Sequence, residues 1–343
     1  MIGKRGDPTA HTFTSTSPPR HGPPPPDDVE LRKRRRRARF DAPAIRVAVL
    51  VHSAGGVAYE NKVLSTALRV LSSNGRTARS TVAKVTGAEV RAGRLDGGDF
   101  DVLHVPGGSV FCQQRELGRE GFAKVLRFVG VGGGGYVGVC AGALLAAQQG
   151  YGTQAGPGDD DPAPGAGMLG AETAWTGWLP GNGKWTAVVR VAATGRAVLG
   201  GGGGRGVDTT PSAPARPGGG MTKTTGAAHP DGAVGEAAAD EEVAMVLSGG
   251  SWHVPAFTTN SVLGIDVPAF TPLCTFVRIE KQSGAEVPPV EWGDAVPAVA
   301  GQFGQGRVVV FGPHPESPRS DAAAQTWFGE AVHWASRKGI DAP

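Results

Sequence analysis

The chain has 343 residues, of which 55 are glycine and 27 proline. Together they approach the level of about 25–30% that marks low-complexity chains. Even so, 40% of the residues are hydrophobic, enough for a core. A three-residue glycine period is absent, which excludes collagen, and no run of about 18 apolar residues could span a membrane. The formal charge of +3 divides unevenly: residues 1–44 hold ten Lys or Arg and five Asp or Glu, a net of +5, which leaves −2 for the rest. The body therefore lacks the basic balance of a nucleic-acid-binding surface.

Residues 1–43 are rich in Pro, Ser, Thr and Arg, carry the basic run 32–37 and show no apolar periodicity. They are expected to form a disordered basic tail without the apolar stretch of a secretory leader. The basic run fits a solvated linker, a nuclear or organelle targeting signal, or an RNA-binding arm. Order is expected from the β-branched run 45–51, a buried strand. The spacing of Val63, Leu64, Ala67, Leu68, Val70 and Leu71 predicts a helix over 59–73. Strands follow at 82–85 and at 100–105, the latter ending at Pro106-Gly107-Gly108. Phe122, Val125, Leu126 and Val129 predict a helix over 116–130, and a strand at 136–139 leads directly into Cys140. Alternating strands and helices imply a parallel sheet with right-handed crossovers.

The middle of the chain differs. Segments 150–167 and 200–240 are glycine-rich and aperiodic, and read as surface insertions. Strands resume at 243–247, 274–279, 296–300 and 306–312, and a closing helix spans 320–337 with Ser320 as its cap. Residues 44–337 are thus expected to form a single domain with two insertions.

Three motifs sit at strand ends, where open α/β sheets bind ligands. Gly138-Val139-Cys140-Ala141-Gly142 is a cysteine form of the nucleophile elbow, with its thiol at a helix start. In His314-Pro315-Glu316 the imidazole and carboxylate are two residues apart, so they point the same way as a base and its orienting partner. The amides of Gly107, Gly108 and Ala141 are candidates for an oxyanion hole. Cys112 is a candidate second thiol, while Cys274 and His104 read as core. Three cysteines without a Cys-x-x-Cys pair argue against disulfides or structural zinc and for a reducing, cytoplasmic compartment. No metal site and no cofactor are expected.

The Pro-Gly-Gly turn, the stretch 134–143 and the segment 311–316 together resemble class I glutamine amidotransferase-like domains. The nearer likeness is to the N-terminal domain of biotin–protein ligases, which also carries a Cys soon after Pro-Gly-Gly, matched by Cys112. The resemblance implies a flavodoxin-like, mostly parallel sheet with helices on both faces and a Cys140-His314-Glu316 triad. Glutamine amidotransferases usually carry Gln four residues after the nucleophile, where this chain has Leu144. The Gly-x-Gly-Arg-x-Gly loop of a biotinyl-transfer domain is missing, so biotin ligation by this chain is not expected. Three functions follow. The first is a cysteine-dependent hydrolase or amidotransferase acting on a small amide or ester. The second is a non-catalytic regulatory or ligand-binding module that keeps the pocket, with a protein partner. The third is a PfpI-type redox protein in which Glu60 activates Cys140. None involves nucleic acid bound by the folded body, or a membrane.

Overall fold

A computed structural model describes residues 44–51, 69–70, 80–147, 166–169, 171–175, 185–199, 242–247, 251–255, 258–260, 265–267, 270–281, 286–287 and 296–336. The expected basic tail, Glu60 and nearly all of both expected insertions lie outside these residues. So does most of the helix expected over 59–73, of which residues 69–70 are helical.

The first half builds a parallel layer. Strand β1 (Ile45–Val51) pairs in parallel with β2 (Ser80–Thr86) on one side and with β3 (Val102–Val105) on the other. Helix α1 (Gly87–Arg91) opens at Thr86, whose hydroxyl accepts from Glu89 N–H while Glu89 reaches back to the Thr86 N–H. This reciprocal cap satisfies two amides that a helix start leaves unpaired. Helix α2 (Val110–Gly130) starts at Ser109, which caps the Cys112 N–H, and breaks at Gly118, whose φ is 57°. The expected helix over 116–130 corresponds to the part beyond the break. The turns before it present only two apolar side chains, Val110 and Leu117, to the core among the described ones, too sparse a pattern to register as periodic. Strand β4 (Gly135–Val139) pairs with β3 and leads through Cys140 into α3 (Ala141–Ala146).

The second half is not parallel. Its strands are β5 (Ala171–Trp175), β6 (Trp185–Val191), β7 (Glu242–Leu247), β8 (Ser251–Pro255), β9 (Thr258–Asn260), β10 (Ile265–Val267), β11 (Thr271–Lys281), β12 (Glu286–Val287), β13 (Ala298–Phe303) and β14 (Gly306–Phe311). Two helices accompany them, the short α4 (Arg196–Leu199) and the closing α5 (Ala322–Ala335). The main sheet runs β2-β1-β3-β4-β14-β13-β11-β6-β7, with β12 on β11; β5–β8 and β9–β10 are separate antiparallel pairs. Strands β2 through β14 in this order are parallel, and every pair from β14 to β7 is antiparallel. The protein is therefore mixed α/β rather than mostly parallel. Strands β13 and β14 are joined by Gly304-Gln305, and so tight a turn can only reverse the chain.

Helices cover both faces. Ile45, Val47 and Val49 of β1 pack in the cluster that contains Trp327, Phe328, Ala331 and Val332 of α5. Ala48 and Leu50 belong to the cluster holding Leu117, Phe122, Val125 and Leu126 of α2. This alternation explains why β1 reads as a continuous apolar run: a strand buried on both faces has no polar side. Ala166 and Gly167, expected at the end of an insertion, are buried, and their amides donate to the carbonyls of Leu145 and Ala147.

Candidate active site

The elbow forms where two strands end together. Strands β4 and β14 pair up to Val139 and Phe311, and the Cys140 N–H extends the ladder by donating to Phe311 O at 2.8 Å. The chain then turns sharply into α3. Cys140 has φ 51° and ψ −108°, and it is the one non-glycine residue with positive φ among the described residues. Such backbone strain, on the order of 1–3 kcal/mol, persists only where the surroundings over-determine it. Here they do. The Cys140 carbonyl accepts from the amides of Ala143 and Leu144, and the Tyr136 hydroxyl donates to Gly142 O at 2.6 Å. A Cβ on Gly142 would collide with the carbonyl oxygen of Val105, so glycine is required where α3 crosses the end of β3.

His314 and Glu316 follow β14 and are buried, 1% and 0% exposed. The His314 Nδ1 lies 2.9 Å from Glu316 Oε1. The imidazole is also in hydrogen-bonding and charge contact with Cys140. Burial alone would lower the basicity of His314. The Glu316 carboxylate and Cys140 outweigh it and hold the imidazole well above its ordinary value of 6.5. This arrangement favours the protonated imidazole beside the cysteine.

The expected Pro-Gly-Gly turn lies against the same two side chains. A Cβ on Gly107 would overlap His314 Cε1 and stand 3.2 Å from Cys140 Cβ. Gly108 has φ 148°, a conformation suited to glycine. Ala141 opens α3, so its N–H has no carbonyl within the helix to bond. The structure thus brings together Cys140, His314, Glu316 and Gly107, with Gly108 and Ala141 adjoining them in the chain. Cys112 is half-buried on the first turn of α2, four residues beyond Gly108, and Cys274 is fully buried in β11. Burial pushes the Cys274 thiol far above its ordinary range. Among the described residues, no three His, Cys, Asp or Glu side chains are disposed to hold a metal.

Three features escape the sequence reading. Gln113 is buried and donates from Nε2 to Pro106 O at 2.8 Å, pinning the turn beneath His314. Ser320, expected as the cap of the last helix, gives that place to Asp321. Its hydroxyl instead donates to His314 O at 2.6 Å and accepts from Val246 N–H at 2.9 Å. Strand β7 docks on the same loop: His314 N donates to Val246 O at 2.7 Å, and Asp321 Oδ2 accepts from Ala244 N at 2.8 Å. A cavity of about 470 Å³ lies away from this site, before the amino ends of β3 and β4, lined by Phe100, Asp101, Arg127 and Phe128.

No family model and no curated protein matches the chain. Among solved structures it is similar to a glutamine amidotransferase, at 16% identity over 84% of this chain and 98% of that one, with a TM-score of 0.44. A cytoplasmic protein from Salmonella typhimurium is 10% identical over 85% of this chain and 98% of its own, at a TM-score of 0.42. A ThuA-like protein from Parabacteroides merdae is 12% identical over 88% and 94%, at 0.41. Likenesses of this degree carry no functional argument, and the chemistry of the site is read from its own geometry.

Proposed function

We propose that this protein is a cysteine-dependent hydrolase or acyl transferase of the flavodoxin-like, class I glutamine amidotransferase-like type, acting on a small amide or ester. The observation that supports it is the strained Cys140 beside His314, whose Nδ1 lies 2.9 Å from Glu316 Oε1. Cys140 Sγ attacks the substrate carbonyl carbon, and His314 receives the thiol proton. The resulting oxyanion is held by the amides of Gly108 and Ala141. The carbon–nitrogen or carbon–oxygen bond then breaks, His314 gives its proton to the leaving amine or alcohol, and a thioester remains on Cys140. Water, deprotonated by His314, or an acceptor nucleophile cleaves that thioester and restores the thiol. Glu316 fixes the imidazole and stabilises its charge. Leu144 packs against the core cluster of α2 and α3 where glutamine-hydrolysing relatives carry Gln, so the substrate is an amide or ester other than glutamine. The narrower likeness to the biotin–protein ligase N-terminal domain belongs to this reading through Pro106-Gly107-Gly108 and Cys112.

The test is thiol alkylation in the full chain, read site by site. Cys140 is expected to react faster than Cys274, and His314→Ala is expected to slow Cys140 by at least tenfold near neutral pH. An unchanged Cys140 rate in a folded His314→Ala chain would remove the base from the reading. The second reading, a ligand-binding module that keeps the pocket, has Leu144 in its favour. It predicts binding without turnover across a panel of amides and esters.

A further inference from the structure

Gln113 holds both ends of one turn. Its backbone N–H donates to Ser109 O at 3.1 Å, and its side-chain Nε2 donates to Pro106 O at 2.8 Å. A single residue thereby ties off the segment from Pro106 to Ser109. The side-chain amide cannot be turned over, because Oε1 would then face the Pro106 carbonyl, and neither oxygen has a hydrogen to give. Oε1 is left buried without a hydrogen-bond partner among the described residues, and Gln113 is 5% exposed. An apolar side chain of the same length would fill this place without leaving a polar atom unpaired. The bond to Pro106, and not packing, is what a glutamine supplies here.

That bond fixes a peptide plane. The Pro106–Gly107 peptide is trans, so the Gly107 N–H points opposite to the Pro106 carbonyl. The Gly107 α-carbon is held from another side, where a Cβ would overlap His314 Cε1 and stand 3.2 Å from Cys140 Cβ. Neither Gly107 N–H nor Gly108 N–H donates to a backbone carbonyl among the described residues. A Gly-Gly pair with no such bond of its own would let its peptide planes swing. A donor aimed at a developing oxyanion has to be in place before the charge appears.

We propose that Gln113 is a positioning residue for the oxyanion site, stapling the turn from Pro106 to Ser109 so that the Gly108 amide meets the oxygen that becomes negative when Cys140 attacks a carbonyl. The inference rests on the proposed roles of Cys140, His314 and Gly108. Gln113 acts through the turn and not on the substrate.

The test sets two reagents against each other in the full chain. p-Nitrophenyl acetate is attacked at its carbonyl: the Cys140 sulfur bonds the acetyl carbon, the thiol proton passes to His314, an oxyanion forms and collapses, and p-nitrophenolate leaves. Iodoacetamide is attacked at its methylene carbon, iodide leaves, and no oxyanion forms. Both rates are read as the difference from Cys140→Ala. Gln113→Met, nearly equal in length and without a donor, should slow acetylation on the order of tenfold or more and alkylation by no more than about threefold. His314→Ala should slow both. A folded Gln113→Met chain whose two rates fall together, or stay at the wild-type values, overturns the role of Gln113 and leaves the triad standing. Equal acetylation of the wild-type and Cys140→Ala chains, or unaltered rates in His314→Ala, overturns both. Should Gln113→Met fail to fold, NMR of the wild-type chain decides. The Gln113 side-chain N–H resonances should shift when the Cys140 thiol adds across the carbonyl of acetaldehyde, and resonances that stay in place overturn the proposal.

Discussion

Cys140 and Gly107 show how closely the site depends on single atoms. The strained turn at Cys140 costs stability locally and is held by the Phe311 carbonyl, the amides of α3 and the Tyr136 hydroxyl around it. Gly107 contributes by what it lacks. One methyl group there would occupy the position of His314 Cε1 and press on Cys140 Cβ. Gly107→Ala is therefore expected to push the imidazole off the thiol. Cys140 alkylation should slow toward the His314→Ala rate, with a stability loss of about 1–3 kcal/mol, the usual cost of overpacking. Parallel alkylation and denaturant unfolding would measure the two effects. A wild-type alkylation rate would mean that the ring has room to yield.

At the scale of elements, β7 is what steadies the loop that carries His314. It closes one edge of the sheet, and its free side is taken by the loop 314–321 through Val246, Ala244, Ser320 and Asp321. Ser320→Ala removes one acceptor and one donor from this clamp and leaves the Val246 N–H without its partner. A loss of about 1–3 kcal/mol is expected in denaturant unfolding. Cys140 alkylation should also slow, because the His314 backbone loses an anchor; a stability loss with unchanged alkylation would assign Ser320 to the fold alone. This clamp could not be read in the sequence. Cys140, His314 and Glu316 stood out as candidates because Cys140 directly follows one strong apolar strand and the other two lie just beyond another, with side chains whose chemistry is plain from residue type. The hold of β7 on His314 runs largely through backbone groups about 70 residues apart, which leave no residue-type signature. Ser320 misled for a related reason: a hydroxyl before a helix looks the same whether it caps that helix or bonds a distant strand. Strand direction was likewise hidden, since the apolar pattern of β13 and β11 is the same for parallel and antiparallel pairing.

Across the whole molecule, the buried His104 and the half-buried His333 set a limit in acid. His104 and His333 are both held below the ordinary value of 6.5 by burial. In the unfolded chain they take up protons near pH 6.5. Below that pH the unfolded state binds more protons than the folded one, and stability falls as pH drops toward the folded values. Thermal unfolding should show Tm declining from about pH 6.5 downward, and His104→Gln, with nothing to protonate, should flatten part of that decline. A wild-type Tm unchanged between about pH 6.5 and 5 would contradict it. The strand order has a consequence of another kind. Neighbours β4 and β14 are separated by roughly 170 residues of chain, and closing so long a loop costs entropy before any pairing offsets it. During synthesis Cys140 leaves the ribosome long before His314 exists. A nascent chain that has not reached β14 carries Cys140 without His314, so the two side chains meet only after β14 slots in beside β4.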